Sequence, residues 1–298
     1  MYAPSLMTTS QPSILGPVPS HARVLSFGLA PGANKEALAH LRAVPFDARA
    51  VLGIGAPLVG LADRPLEGLR AFPAWSGPGA VFPSTQAAVW AFLQGDDPGE
   101  ILHRARKLAA TLGDAFRIEE DVATFKFAEG RDLSGYEDGT ENPKDERAVE
   151  VAIIAGRGVG LDGGSFVSAQ RWIHDLARFD RMSPDARDQA IGRRIADNEE
   201  IADAHPSAHV KRSAQESFDP PAFMLRRSMP WGGVAEHGLY FVAFGATVDP
   251  FERVLRRMCG LEDGVTDGLL RFTRAVSGGH YFCPPVTGDR LDLRAIGL

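Results

Sequence analysis

Apolar and polar positions change rhythm repeatedly along the chain, and each change marks an element. The first twenty residues are rich in Ser and Pro and carry no period, so residues 1–20 read as a tail or a wrapping arm. Ala22-Arg23-Val24-Leu25-Ser26-Phe27 is the first strand expected. Residues 34–43 open on Asn34, a candidate N-cap, and continue in helix formers. Val51-Leu52-Gly53-Ile54-Gly55 reads as a second strand, and the stretch from Arg64 to Pro83, punctuated by Pro65, Pro73 and Pro78, as loop.

Half a chain apart, one pattern occurs twice. Ala91-Phe92-Leu93-Gln94-Gly95-Asp96-Asp97-Pro98 is similar to Ala243-Phe244-Gly245-Ala246-Thr247-Val248-Asp249-Pro250, and 243 less 91 is an offset of 152 residues. Each copy reads as strand, Asp-Pro helix start, amphipathic helix and a further strand (Val122 to Phe127; His280 to Cys283). The repeat predicts a duplicated α+β unit, with residues 21–130 as one module and 131–298 as the other.

Length and composition narrow the class. At about 100–200 residues per domain, 298 residues suggest two domains. With 44% hydrophobic and 23% charged residues the chain is neither disordered nor fibrous. A net charge of −6 gives no overall basic footprint, so nucleic acid is not an expected partner. Two cysteines, Cys259 and Cys283, exclude a disulfide framework, and neither lies in a haem-attaching C-x-x-C-H. No apolar run reaches the roughly 18 residues of a spanning helix. Met1 to Pro19 shows no export signal, and a cytoplasmic enzyme away from the membrane is expected.

Three stretches stand out chemically. Gly135-Tyr136-Glu137-Asp138-Gly139-Thr140-Glu141-Asn142-Pro143 packs acids, glycines and turn formers together. Read alone it is either a solvated interdomain loop or a loop that brings Asp138 against a ligand as an acid–base group. His205-Pro206-Ser207-Ala208-His209 holds two histidines four apart, but Pro206 weakens a helical pairing and no third ligand lies nearby. In Met224-Leu225-Arg226-Arg227-Ser228-Met229-Pro230-Trp231-Gly232 an arginine in apolar company is either a snorkelling surface residue or the partner of an anion. Strand alternation allows only one of Arg226 and Arg227 to point inward. No Walker A, G-x-G-x-x-G, H-E-x-x-H or G-x-S-x-G pattern is present.

In this order and spacing the three stretches resemble the dye-decolorizing peroxidase family of haem proteins. Gly135-Tyr136-Glu137-Asp138-Gly139 matches its G-x-x-D-G signature, Pro206-Ser207-Ala208-His209-Val210 its haem-ligand segment, and Arg226 with Ser228-Met229-Pro230-Trp231-Gly232 its distal arginine segment. Similarity continues through Gly164-Ser165-Phe166-Val167, Gln170-Arg171-Trp172-Ile173-His174-Asp175 and Ile191-Gly192-Arg193. It runs on through Gly238-Leu239-Tyr240-Phe241 and Leu270-Arg271-Phe272-Thr273 to Gly278-Gly279-His280-Tyr281-Phe282, covering nearly all the chain after residue 20. The short chain is most similar to the compact bacterial intracellular, B-type subgroup.

The resemblance implies an α+β fold of two tandem ferredoxin-like modules, barrel-like, whose sheets sandwich a non-covalent haem b. It implies His209 as the axial iron ligand, Asp267 as the acid accepting its Nδ1 proton, Asp138 and Arg226 as the catalytic pair facing hydrogen peroxide, and Ser228 and Phe241 in the distal pocket. Gly139, Thr140, Glu141 and Arg193 are the remaining cofactor-binding candidates, and Ser228 stands where some members carry Asn. A carboxylate shuttles the peroxide proton, and a fixed guanidinium stabilises charge on the departing oxygen; beside Arg226, Asp138 is expected to stay ionised well below neutrality. Bulky reductants such as dyes, phenolics or porphyrinogens would be oxidised in one-electron steps. Trp75, Trp90, Trp172, Trp231, Tyr136, Tyr240 and Tyr281 form the pool of relay residues. The competing function is haem handling: storage, delivery or iron release. A homo-oligomer is expected; encapsulation as nanocompartment (encapsulin) cargo is not, since no linker precedes the Leu293-Arg294-Ala295-Ile296-Gly297-Leu298 ending.

Overall fold

The computed structural model describes residues 9–298. Two copies of one βαββαβ unit build it. The first comprises β1 (His21–Leu29), α1 (Glu36–Ala43), β2 (Ala50–Gly55), a short α2 (Ala56–Val59), the small hairpin β3 (Trp75–Gly77) and β4 (Ala80–Phe82), β5 (Val89–Gly95), α3 (Pro98–Leu112) and β6 (Phe116–Phe125). The second comprises β7 (Ser165–His174), β8 (Leu225–Arg226), β9 (Met229–Gly232), β10 (His237–Gly245), α8 (Asp249–Met258), β11 (Thr273–Ala275) and β12 (Gly279–Cys283). Between β7 and β8 lie α5 (Leu176–Asp180), α6 (Pro184–Ile191) and α7 (His209–Ser213); α4 (Asp145–Ala152) precedes β7.

Strand order is β6-β1-β5-β2 in the first unit and β12-β7-β10-β9 in the second, the fourth-first-third-second order of a ferredoxin-like sheet. The units join edge to edge through β12–β2 and β6–β9. Because β10 also pairs with β7, the ten-stranded sheet, less β8 and β11 at its ends, closes into a barrel. Closure leaves no edge strand between the units exposed to solvent.

Side-chain alternation sorts each strand between two layers. Trp90, Phe92, Val122, Val167, Tyr240, Val242, Phe244 and Tyr281 fill the barrel interior. Leu52, Ile54, Ala91 and Leu93 face outward onto α1 and α3, whose Leu38, Leu41, Ile101, Ala105 and Leu108 cover them. Trp172, Ala243 and Phe241 likewise face outward onto α8, whose Phe251, Val254, Leu255 and Met258 repeat at helical spacing. The repeat legible in the sequence is thus β5–α3 and β10–α8. Asp97 caps α3 by accepting from the Glu100 N–H at 2.8 Å, whereas Asp249 sits inside the first turn of α8 and pairs with Arg70.

One segment departs from expectation, and both ends of the described chain are packed against the body. The stretch from Arg64 to Pro83 contains the β3–β4 hairpin, which turns on Pro78-Gly79. The N-terminal arm is built in: Ile14 is buried in the barrel core, and Gln11 exchanges hydrogen bonds with both backbone groups of Leu52. Residues 1–8 of that arm lie outside the described residues. The apolar C-terminal ending is also engaged, with Leu293 and Ile296 buried in the first unit's core. No helix among the described residues is long and apolar enough to cross a membrane.

Candidate active site

A cavity of about 1020 Å³, the open solvent at its mouth included, lies between the outward sheet face of the second unit and that unit's helices. Every lining residue falls between Asp132 and Thr273, so the cavity belongs to one unit and is not sandwiched between the two sheets. The barrel interior is already filled with aromatic side chains, and the cavity opens on the other face of the sheet, under the helical layer.

The sheet wall carries Arg226, Leu239, Phe241, Gln170, Trp172 and His174; the helical wall carries His209, Phe251, Val254, Leu255, Met258 and Leu269. Register settles which arginine points in. Arg226 lies opposite Ala243 on β10, whose side chain faces α8, so Arg226 shares that face and lines the cavity. Arg227 points away, and its guanidinium donates to the Leu15 and Arg226 carbonyls, each at 3.1 Å.

The acid-rich loop folds back on itself and is clamped to β8. Asn142 accepts the Arg226 N–H at 2.8 Å and donates to the Arg226 carbonyl at 3.0 Å, so the loop and the arginine move as one piece. Gly139 makes this possible: its φ is +80°, and a Cβ there would stand 2.8 Å from the Asn142 Nδ2. The loop's base is held by Asp132, which meets His174 Nε2 at 2.9 Å and the Ser134 N–H at 2.8 Å. Burial alone pushes the Asp132 carboxyl upward, but the His174 and Ser134 hydrogen bonds outweigh it and the net direction is down.

Asp138 projects from this loop into the cavity. Burial pushes its carboxyl up, against the downward pull of Arg226, with Asp132 pushing the same way as burial. Arg226 pulls the carboxyl down as its motif suggests, but the net direction is up. Desolvation and the Asp132 carboxylate outweigh the pull of Arg226 and His209.

On the helical wall, His209 is the first residue of α7 and its Nδ1 meets the Asp267 Oδ2 at 2.9 Å. Asp267 is 1% exposed, and its other oxygen accepts the Leu269 N–H at 2.8 Å. The carboxylate occupies Nδ1 and fixes the tautomer, leaving Nε2 as the nitrogen available to the cavity. The bidentate Arg212–Asp263 pair pins α7 to the loop carrying Asp267. His205 is turned onto its own Ser207, at 2.8 Å, and does not line the cavity.

Other expected residues are placed differently. Gly139 and Ser228 line a smaller adjoining cavity that shares Asp138, Arg226 and Leu239 with the main one. Thr140, Glu141 and Arg193 line neither. Arg193 pairs with Glu141 at 2.8 Å, and Thr140 accepts from Asn198, so this group closes an exposed polar network over α6 instead. Of the aromatic pool only Tyr136, whose hydroxyl donates to Asp188, and Trp172 line the cavity; Trp90, Trp231, Tyr240 and Tyr281 belong to the barrel. Asn142, Asp132, His174 and Gln170 escaped the sequence reading. Asn142 reads as a turn former, Gln170 and His174 lie in a segment marked only by similarity, and Asp132 precedes the acid-rich stretch with no signal of its own.

Haem fits these walls. A slot lined mostly by apolar side chains offers an imidazole nitrogen from one side. Buried polar atoms without protein partners, including Arg226 Nε and both amide atoms of Gln170, belong to the other. The fold and site together define a duplicated ferredoxin-like barrel with a histidine-bearing pocket of the haem-protein type. Residues 129–288 match the family model of the Dyp-type peroxidase C-terminal domain. A dye-decolorizing peroxidase of Mycobacterium tuberculosis is 32% identical over 235 residues, covering 77% of this chain and 69% of that protein. Among solved structures, a DypB variant of Rhodococcus jostii RHA1 in complex with heme is 25% identical, with a TM-score of 0.83 over 91% of this chain and 94% of that one. The encapsulated DyP-type peroxidase of Mycobacterium smegmatis is 26% identical, with a TM-score of 0.82 over 93% and 96%. The chain belongs to the Dyp-type peroxidase family and is a haem peroxidase.

Proposed function

We propose that the protein binds haem b non-covalently in this cavity, within the 131–298 half, and uses hydrogen peroxide to oxidise bulky organic reductants one electron at a time. The observation that carries this reading is the pairing of opposed walls: the Asp267-held His209 on the helices, and Asp138 with Arg226 on the loop and sheet. Bound haem would supply an iron that exchanges electrons with peroxide and reductant. His209 would hold that iron through Nε2, with Asp267 fixing the proton on Nδ1. Asp138 takes a proton from one peroxide oxygen and returns it to the other, directly or through a water; its upward-shifted carboxyl suits a group that must hold and release a proton. Arg226, fixed by Asn142, stabilises negative charge on the departing oxygen. Phe241 keeps the slot apolar, which strengthens these electrostatic effects. A haem carrier needs the axial ligand and the slot alone, so the Asp138–Arg226 pair favours catalysis over haem handling.

The test is haem titration of the purified protein followed by peroxide and a dye. The expected result is a Soret band that His209→Ala shifts or abolishes, with peroxide-dependent decoloration in the wild type only. An unchanged band in His209→Ala, or haem uptake with no reaction toward peroxide, would overturn the reading.

A further inference from the structure

One cavity residue has no task in the scheme above and no partner among the described residues. Gln170 lies mid-way along β7, where Val167 and Ala169 face the barrel while Gln170, Trp172 and His174 face the cavity. It is 0% exposed, and neither its Oε1 nor its Nε2 has a hydrogen-bond partner. A glutamine amide has two donor and two acceptor sites, and buried polar groups in folded proteins are almost always satisfied. Its surroundings leave it little to meet. Phe241 stands directly opposite on β10. Ser168, two residues back on the same face, is engaged with His280 Nδ1 at 2.9 Å. Trp172, two residues on, has only a donor, itself unpaired.

The missing partner is therefore a cavity ligand, and both amide ends being bare restricts its chemistry. A carboxylate offers acceptors only and would leave Oε1 unmet; an aromatic ring meets neither end. A small hydroxylic molecule presents both an O–H and a lone pair. Gln170 also lies on the wall that carries Arg226, across the cavity from His209. Resting on the peroxidase reading, we propose that the Gln170 carboxamide is a further peroxide-binding group. Its Nε2 donates to one peroxide oxygen, and its Oε1 accepts from a peroxide O–H. It adds to the hold on the substrate that Asp138 and Arg226 act upon.

Gln170→Met keeps length and volume while removing both hydrogen-bonding ends, so it tests the proposal in the haem-loaded protein. The KM for hydrogen peroxide should rise about three- to ten-fold, with kcat at saturating peroxide and the haem dissociation constant unchanged. The haem-free variant should melt no lower than wild type, because no protein hydrogen bond is lost. An unchanged KM in a folded, haem-loaded variant overturns the proposal. So does weakened haem binding with an unchanged peroxide dependence, which would assign the amide to the porphyrin edge. A wild type that takes up no haem overturns the peroxidase reading and this proposal together, whereas an active wild type beside an indifferent Gln170→Met overturns this proposal alone.

Discussion

Replacing Asp267 by Asn probes how the protein prepares His209. The carboxylate accepts from His209 Nδ1 at 2.9 Å and from the Leu269 N–H at 2.8 Å, in a site with almost no solvent access. Asn can keep the Leu269 bond through its oxygen, but its NH₂ then faces Nδ1. Two donors cannot share that contact, so the ring is driven toward the tautomer with its proton on Nε2, the nitrogen needed for the iron. Two routes give the size of the effect. A hydrogen bond to a charged group contributes about 1.5–3 kcal/mol. Loss of the partner behind a metal-bound histidine typically costs about 10–100-fold in metal affinity, which at 1.4 kcal/mol per tenfold is about 1.4–2.8 kcal/mol. The two agree, so Asp267→Asn should weaken haem binding roughly 10- to 100-fold. Titration of haem into the haem-free protein, followed by the Soret band, measures it. A dissociation constant within two-fold of wild type, in a variant with an unchanged melting temperature, would refute the argument that this carboxylate sets the tautomer.

Arg226→Leu should slow the peroxide reaction more than Asp138→Ala, because charge stabilisation needs fixed geometry while proton transfer through a water tolerates movement. Acid–base groups contribute about 10²–10⁴-fold; stopped-flow rates at equal haem loading decide the order, and Arg227→Leu should react normally. Asn142→Ala removes both hydrogen bonds that join the loop to β8 and should cost about 1–3 kcal/mol of stability, read from denaturant midpoints; an unchanged midpoint would show that the loop is held otherwise. Glu252 is raised by burial, but His280 and Arg70 bonds bring its carboxyl down to about 2. Its ionised form therefore stabilises the folded chain above the ordinary carboxylate range, and that stability is lost as pH falls through the range from about 4.5 to about 2. Glu252→Gln should be less stable than wild type at neutral pH by about 3 kcal/mol, with the gap closing as melting is repeated at lower pH; a pH-independent gap would exclude the ion pair as its source.

The sequence by itself determined the local elements and the chemistry-bearing segments. Both Asp-Pro helix starts, the strand at β1, and the repeat linking β5–α3 to β10–α8 were legible because helix starts and side-chain periods act over a few residues. The candidates Asp138, Arg226 and His209 were legible as motifs for the same reason. What lay beyond the sequence depends on partners far apart in the chain. Barrel closure joins β6 to β9 and β12 to β2, and no local pattern encodes which edges meet. The choice of Arg226 over Arg227 follows from the register against Ala243, since a one-residue slip would exchange the two. The upward shift of the Asp138 carboxyl reflects burial and the neighbouring Asp132 as well as the arginine that its motif suggests. Thr140, Glu141 and Arg193 belong to the same motifs yet close on one another at the surface, while Gln170, in a segment noted only for similarity, faces the cavity unpaired. Sequence supplies residue types at spacings; only tertiary structure decides which are desolvated together, and desolvation is what turns a polar side chain into a site.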